Sequence, residues 1–205
     1  MIEFSNTEVY NFDAALRGMR NPLNSWDKSD SIIVRMVDKE IIIGENDLAL
    51  AKKLIKAGSD HRKFLRQIIV SVDILAPRYW WTEFDTYKVG TVANSCSTMH
   101  TIHKKEFEID DFSHDKLKIK SMLRSTITTL NLLRDLYLET NKKDYWYEII
   151  QLLPQSYNQL RTVTLNYEVL RNMYHARKNH KLDEWSIGFV EWVKSLPYSE
   201  FITEE

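Results

Sequence analysis

Leu153-Pro154, Arg161-Thr162-Val163-Thr164-Leu165-Asn166 and Tyr174-His175-Ala176-Arg177 are the three short runs on which the reading of this chain turns. Pro154 closes a helix predicted over Lys142–Leu153, because the residue before a proline is pushed out of the helical region. The threonine-rich, β-branched stretch 161–165 reads as a strand. Asn166 is a good N-cap and opens a helix to about Lys178. Asp183–Leu196 gives a last, Trp-bearing helix.

Upstream of these runs the signals alternate between strand and helix. The first thirty residues read as irregular, with one short helix near Phe12–Arg17, followed by a polar, turn-rich stretch from Arg17 to Asp30. That stretch is a surface loop, or a loop aimed at a ligand, and loops serve the second purpose often. Ile32–Val37 and Glu40–Ile43 around Asp38-Lys39 predict a hairpin. Asn46 is expected to cap a helix over Asp47–Ala57, with Gly58 ending it, and Ser59–Arg66 reads as a shorter second helix. Ile68–Leu75 is β-rich, and Pro77 suits the first turn of a helix to about Phe84. From Ser113 to Glu139, Leu117, Met122, Leu123, Ile127, Leu130, Leu133, Leu136 and Tyr137 form a helical apolar stripe. The pattern predicts a mixed α+β (α/β) fold, a small mostly antiparallel sheet packed against long helices, in one domain over 1–205.

Composition narrows the class. The 205 residues are 43% hydrophobic and 28% charged, with 28 basic against 29 acidic side chains. Without a basic excess a wide nucleic-acid surface is not expected, whereas a local anion site needs only a few Lys and Arg. One cysteine, Cys96, excludes an intramolecular disulfide and fits a reducing cytosol. No basic-then-apolar leader opens the chain, and no stretch approaches the roughly 20 apolar residues of a membrane span. A cytoplasmic protein with no membrane partner is expected.

The segment Ile69–Leu75, Pro77–Phe84 and then Thr86-Tyr87-Lys88-Val89-Gly90-Thr91-Val92-Ala93-Asn94-Ser95-Cys96-Ser97-Thr98-Met99-His100 resembles the central part of the flavin-dependent thymidylate synthases. That family follows a strand and a helix with an Arg-His-Arg-x-x-Ser-x-Asn-x-x-Ser-x-Arg type motif. Here Thr86-Tyr87-Lys88 stands at the Arg-His-Arg position, Thr91 at the first serine, and Asn94 and Ser97 at the Asn and second Ser with one residue inserted. Thr98 or Met99 replaces the last arginine. The C-terminal runs are similar to the same family: Leu-Pro, a threonine-rich strand, a helix-opening Asn, then an aromatic and an Arg. Leu182-Asp183-Glu184-Trp185-Ser186-Ile187 follows where the family has Ala-Gln-x-Glu-Ile.

The resemblance implies a divergent member that carries a methylene group from methylenetetrahydrofolate to dUMP and reduces it with hydride from FAD, itself reduced by NADPH. It implies flavin contacts from Lys88, Thr91, His175 and Arg177, and nucleotide contacts from Arg78, Glu83, Asn94, Ser97 and Arg161. It also implies a homotetramer with shared flavin sites. Arg17 or Arg20 could replace the missing terminal arginine. The alternatives are a non-catalytic nucleotide-binding or interaction protein on the same scaffold, and an enzyme with an altered pyrimidine substrate.

Three other constellations carry plainer readings. Cys96 beside Ser95, Ser97 and His100 invites a nucleophile, but reads more simply as a small buried cysteine beside the site. His100 and His103 with His114 lack a third metal ligand at a familiar spacing, so no metal is expected. Tyr79-Trp80-Trp81 is a core cluster, or a stacking platform at Trp80 or Trp81.

Overall fold

A computed structural model describes residues 2–34 and 40–205. Strand β1 (Glu3–Tyr10) leads to helix α1 (Phe12–Arg20), the hairpin strands β2 (Ile32–Val34) and β3 (Glu40–Ile42), and α2 (Glu45–Lys56). Strand β4 (Ile69–Pro77) runs into α3 (Arg78–Phe84), then β5 (Val92–Ser95) and α4 (Thr98–Thr101). The long α5 (Lys120–Thr140) and α6 (Lys143–Leu152) precede β6 (Asn158–Asn166), which opens directly into α7 (Tyr167–Arg177). A π-helical segment at Glu184–Phe189, α8 (Val190–Lys194) and α9 (Glu200–Thr203) finish the chain.

The fold is mixed α/β, with one small antiparallel sheet in the order β1-β4-β6-β5 and a separate β2-β3 ribbon. The ribbon pairs Ile32 with Ile42, Ile33 with Ile41 and Val34 with Glu40, as the hairpin reading requires. The Asp38-Lys39 turn, with Arg35 to Val37, lies outside the described residues. Contacts divide the chain into two compact units: Met1–Phe4, Asp73–Thr86 and Ala93–Thr162 in unit 1, and Ser5–Val72, Tyr87–Val92 and Val163–Glu205 in unit 2. The divide passes through all four strands of the sheet.

Unit 2 is built around β-branched and aromatic burial. Val70 and Val72 of β4 and Val163 and Leu165 of β6 are buried at alternate positions, the period of a strand. Helix α7 packs against α9, α8 and the 3-10 turn Lys63–Gln67, burying Tyr167, Leu170 and Met173. In unit 1, α5 and α6 form an antiparallel hairpin over Leu123, Leu130, Leu133, Ile149 and Leu153. Trp80, Trp81 and Phe84 of α3 pack ring on ring at 4.9 to 5.2 Å and are fully or nearly fully buried.

Several expected boundaries move, each for a physical reason. Glu3–Tyr10 is a strand rather than irregular chain; its side chains are mostly exposed, so no apolar alternation announces it. Asn46 is not the cap of α2. Gly44 holds that position, and the carboxylate of Asp30 accepts from the amides of Asn46 (2.9 Å) and Asp47 (3.1 Å) across sixteen and seventeen residues. Ser59–Arg66 yields only the 3-10 turn at 63–67. The long helix begins at Lys120 and not at Ser113, whose amide instead donates to Ser156 O. Within 183–196 the chain is π-helical before it is α-helical.

Candidate functional site

The residues expected to touch flavin all fall in unit 2. Asn166 caps α7 as anticipated, its side chain accepting from the amide of Val169 at 3.0 Å. Against that helix start lies the turn Lys88-Val89-Gly90-Thr91, in which Lys88 O accepts from Thr91 N at 3.5 Å. Gly90 has φ +77°, and a Cβ placed there would stand 3.1 Å from Asn166 Nδ2 and 3.2 Å from Val169 Cγ2. Only glycine meets both demands without strain. Gly90→Ala is therefore expected to cost about 1–2 kcal/mol from the left-handed backbone and the crowded cap. A thermal melt indistinguishable from the parent would overturn that account.

Lys88 is exposed at the tip of the turn, while Thr91 is half-buried. Thr91 Oγ1 is a buried atom with no hydrogen-bond partner among the described residues, and so is His175 Nε2 on α7. Burial pushes the His175 imidazole below the usual histidine range, helped by the nearby charges of Arg171 and Lys178. Arg177, at the last turn of α7, donates from Nε to the Tyr87 hydroxyl at 3.0 Å. Its guanidinium carbon lies 5.4 Å from the Trp185 ring centre and 5.5 Å from that of Tyr87. These contacts fix the orientation of the guanidinium fork. Tyr87 is a residue that sequence reasoning passed over; its partner is ninety positions away, beyond any local signal.

The residues expected to touch nucleotide all fall in unit 1. Arg161 donates from Nη1 to Asp85 Oδ1 at 2.8 Å and from Nε to Gln159 Oε1 at 3.1 Å. It also lies 4.1 Å over the ring of Trp81. Its charge is thus already matched by a carboxylate. Trp81 Nε1 donates to Gln159 O at 3.0 Å, and Gln159 Nε2 donates to Cys96 O at 2.9 Å and to Thr98 Oγ1 at 3.2 Å. Gln159 therefore ties the strand bearing Arg161 to the segment bearing Asn94 and Ser97. Asn94 is exposed in β5, and Ser97 caps the short α4, its hydroxyl oxygen accepting from His100 N at 3.2 Å. Glu83 is half-buried on α3. Arg78, also half-buried, has no side-chain partner among the described residues.

Other expectations are corrected. Arg20 is not a loop cation free to meet a ligand. It is 3% exposed and donates to Asp47 Oδ1 at 2.5 Å, Ser25 O at 3.1 Å and Lys28 O at 3.0 Å. Arg17 is exposed and borders a cavity of about 380 Å³ with Leu16 and Trp26. A second cavity of about 290 Å³ lies beside Phe112, His114 and Asn158. Neither is lined by the nine residues drawn from the resemblance. Cys96 is exposed rather than buried. Trp80 and Trp81 are core, which leaves no open ring face on Trp80 for a stacked base. No group of three metal-ligating side chains occurs among the described residues; His114 Nδ1 is 2.8 Å from Phe112 O and His103 packs edge-on to Tyr137.

No family model matches the sequence. No curated protein matches it either. Among solved structures, the chain is similar to thymidylate synthase X (ThyX) of Helicobacter pylori with FAD and dUMP, at TM-score 0.72 and 18% identity, over 98% of this chain and 96% of that one. It is also similar to the flavin-dependent thymidylate synthase ThyX of Helicobacter pylori complexed with FAD and dUMP, at TM-score 0.66 and 16% identity, over 98% and 95% of the two chains. Over nearly its whole length, the chain has the fold of thymidylate synthase X.

Proposed function

We propose that the protein binds FAD and acts as a flavin-dependent thymidylate synthase-like enzyme, methylating dUMP reductively with methylenetetrahydrofolate and NADPH. The observation that carries this reading is the end-to-end likeness to two structures described with FAD and dUMP. The residues fit the cofactor. Two buried polar atoms in unit 2, Thr91 Oγ1 and His175 Nε2, lack partners among the described residues, a state that a bound polar ligand relieves. Arg177 would hold a phosphate oxygen pair with its oriented fork, and Lys88 would add a point charge from the exposed turn. When bound, flavin supplies hydride chemistry that no side chain can. A homo-oligomer, a tetramer by the sequence's resemblance to the flavin-dependent thymidylate synthases, and a cytoplasmic location go with this reading. No helix among the described residues is long and apolar enough to cross a membrane.

On the nucleotide side the load shifts. Arg161 must give up Asp85 before it can take a phosphate, so Arg78 is the cation better placed to receive one. Ser97 can still donate its hydroxyl proton while it caps α4. The Arg161–Asp85 pair is also the observation that favours the second reading, an altered pyrimidine substrate or a binding protein that has lost turnover. Titration with FAD separates the cases. The expected result is a yellow protein with a visible flavin band that saturates at about one FAD per chain. A colourless protein that gains no band on incubation with FAD sinks both enzyme readings. If flavin binds, rescue of a thymidine-requiring strain separates thymidylate synthesis from altered chemistry.

A further inference from the structure

The cavity of about 380 Å³ beside α1 falls within the range of small-molecule sites, roughly 300–1,000 Å³. Asp13, Leu16, Arg17 and Arg20 line it from α1, at the three- and four-residue spacing that sets side chains on one face of a helix. Trp26 and, from β3, Ile41 complete its apolar lining with Leu16. Trp26 is 52% exposed, and its indole N–H donates to Asn21 Oδ1 at 2.8 Å, which fixes the ring.

The charged groups on this lining are not paired with one another. Asp13 and Arg17 stand one helical turn apart, yet Asp13 Oδ1 accepts from Ala14 N at 2.8 Å and Arg17 has no side-chain partner among the described residues. Arg20 is 3% exposed and Asp47 matches its charge. Its five N–H groups make four contacts: Nε to Asp47 Oδ1, Nη1 to Ser25 O and Oγ, and Nη2 to Lys28 O. One Nη2 hydrogen of a buried guanidinium on the cavity wall is thus without an acceptor among the described residues. A ligand oxygen would relieve that cost. An anion alone would meet Arg17 but face Asp13, and Asp47 beyond Arg20. A cation alone would meet Asp13 but face Arg17. We propose that the cavity binds a free α-amino acid with an apolar or aromatic side chain. Its carboxylate meets Arg17 and the open N–H of Arg20, its ammonium meets Asp13, and its side chain lies against Leu16, Ile41 and the Trp26 ring.

The site is independent of flavin and holds for a colourless protein as well as a yellow one. Ligand-observed NMR on the full chain with L-phenylalanine should show saturable binding, with a dissociation constant on the order of 1 mM or tighter. 3-Phenylpropionate lacks the ammonium and phenethylamine lacks the carboxylate, and each should bind roughly tenfold more weakly. Arg17→Gln should weaken L-phenylalanine and 3-phenylpropionate by roughly tenfold and leave phenethylamine unchanged. Asp13→Asn, which keeps an acceptor for Ala14 N, should weaken L-phenylalanine and phenethylamine and leave 3-phenylpropionate unchanged. Trp26→Phe should keep the binding and abolish the change in indole fluorescence that L-phenylalanine causes in the parent. Circular dichroism checks the folding of each variant. Absence of saturable binding up to ~50 mM overturns the proposal. So does equal affinity for the three compounds, which would make the cavity a plain apolar hollow. A variant that weakens all three alike, the mark of a structural role, also overturns it. A fluorescence response that survives Trp26→Phe places the ligand elsewhere, and competition by FAD assigns the cavity to the cofactor; either result ends the proposal.

Discussion

Asp47→Ala should lower the stability of the folded chain by about 3–5 kcal/mol, because it strands a buried guanidinium. Asp47 is fully buried at the start of α2, and Arg20 at the end of α1 is nearly so. One carboxylate oxygen takes Arg20 Nε at 2.5 Å. The other takes the hydroxyls of Ser31 (2.6 Å) and Ser29 (2.8 Å) and the amides of Ser31 and Asp30. One side chain thus joins two helices to the loop between them. Burial raises the Asp47 carboxyl, but hydrogen bonds from Ser31, Ser29 and Arg20 and the Arg20 charge outweigh it and hold it below the usual carboxylate range. With the folded value below the unfolded one, the contribution is complete above the unfolded range near pH ~4 and is lost as pH falls through the folded value. Urea titrations at neutral and acidic pH read both effects. The parent should lose stability on acidification, and Asp47→Ala should lose less of what remains. A neutral-pH loss under about 1 kcal/mol, the size of an ordinary surface change, would refute the assignment.

Arg177→Ala should leave the fold in place and weaken FAD binding by roughly thirty-fold to several thousand-fold. That range corresponds to the about 2–5 kcal/mol typical of removing one partner from a desolvated charged contact. Arg177 sits at the end of α7, aligned by the Tyr87 hydroxyl and by the rings of Tyr87 and Trp185. Arg177→Lys keeps the charge and loses the fork, so it should recover only part of the affinity. Tyr87→Phe removes the aligning acceptor and should cost much less than the loss of the arginine. Visible absorbance against added FAD measures all three, with far-ultraviolet circular dichroism as the control for folding. Equal affinity in Arg177→Ala and parent would remove Arg177 from the site while leaving open binding through Thr91 and His175.

Local signals carried most of the helices. Asn166 caps α7, Gly58 with φ +105° ends the helix before it, and the even alternation of Val70, Val72, Ile74 and Ala76 marks β4. Each of these depends on residues within a turn or a strand of one another. What sequence left hidden depends on distant partners. The amides at the start of α2 are served by Asp30 rather than by their neighbour Asn46, and β1 exists because of a sheet that its own polar residues do not announce. The site divides in the same way. Thr91, His175 and Arg177 came to notice only through the family resemblance, whereas Asp85 facing Arg161, Gln159 tying Cys96 and Thr98, and Tyr87 beneath Arg177 are contacts across 61 to 90 residues. Arg20 was misjudged because a charged residue in a turn-rich stretch gives no sign of a carboxylate 27 positions away.

The π-helical segment at Glu184–Phe189 places one surplus residue in the last helical stretch. At about 100° per residue, everything after it is rotated by more than a quarter turn from an uninterrupted helix. Trp185, against Arg177 and 5.1 Å from Phe189, and Trp192, whose indole donates to Thr7, therefore belong to two phases of one rod. Chain length sets the surroundings of the guanidinium as firmly as side-chain identity does. Losing any one residue between 184 and 189 would let the rod relax to a single phase and force a choice between seating one indole and seating the other.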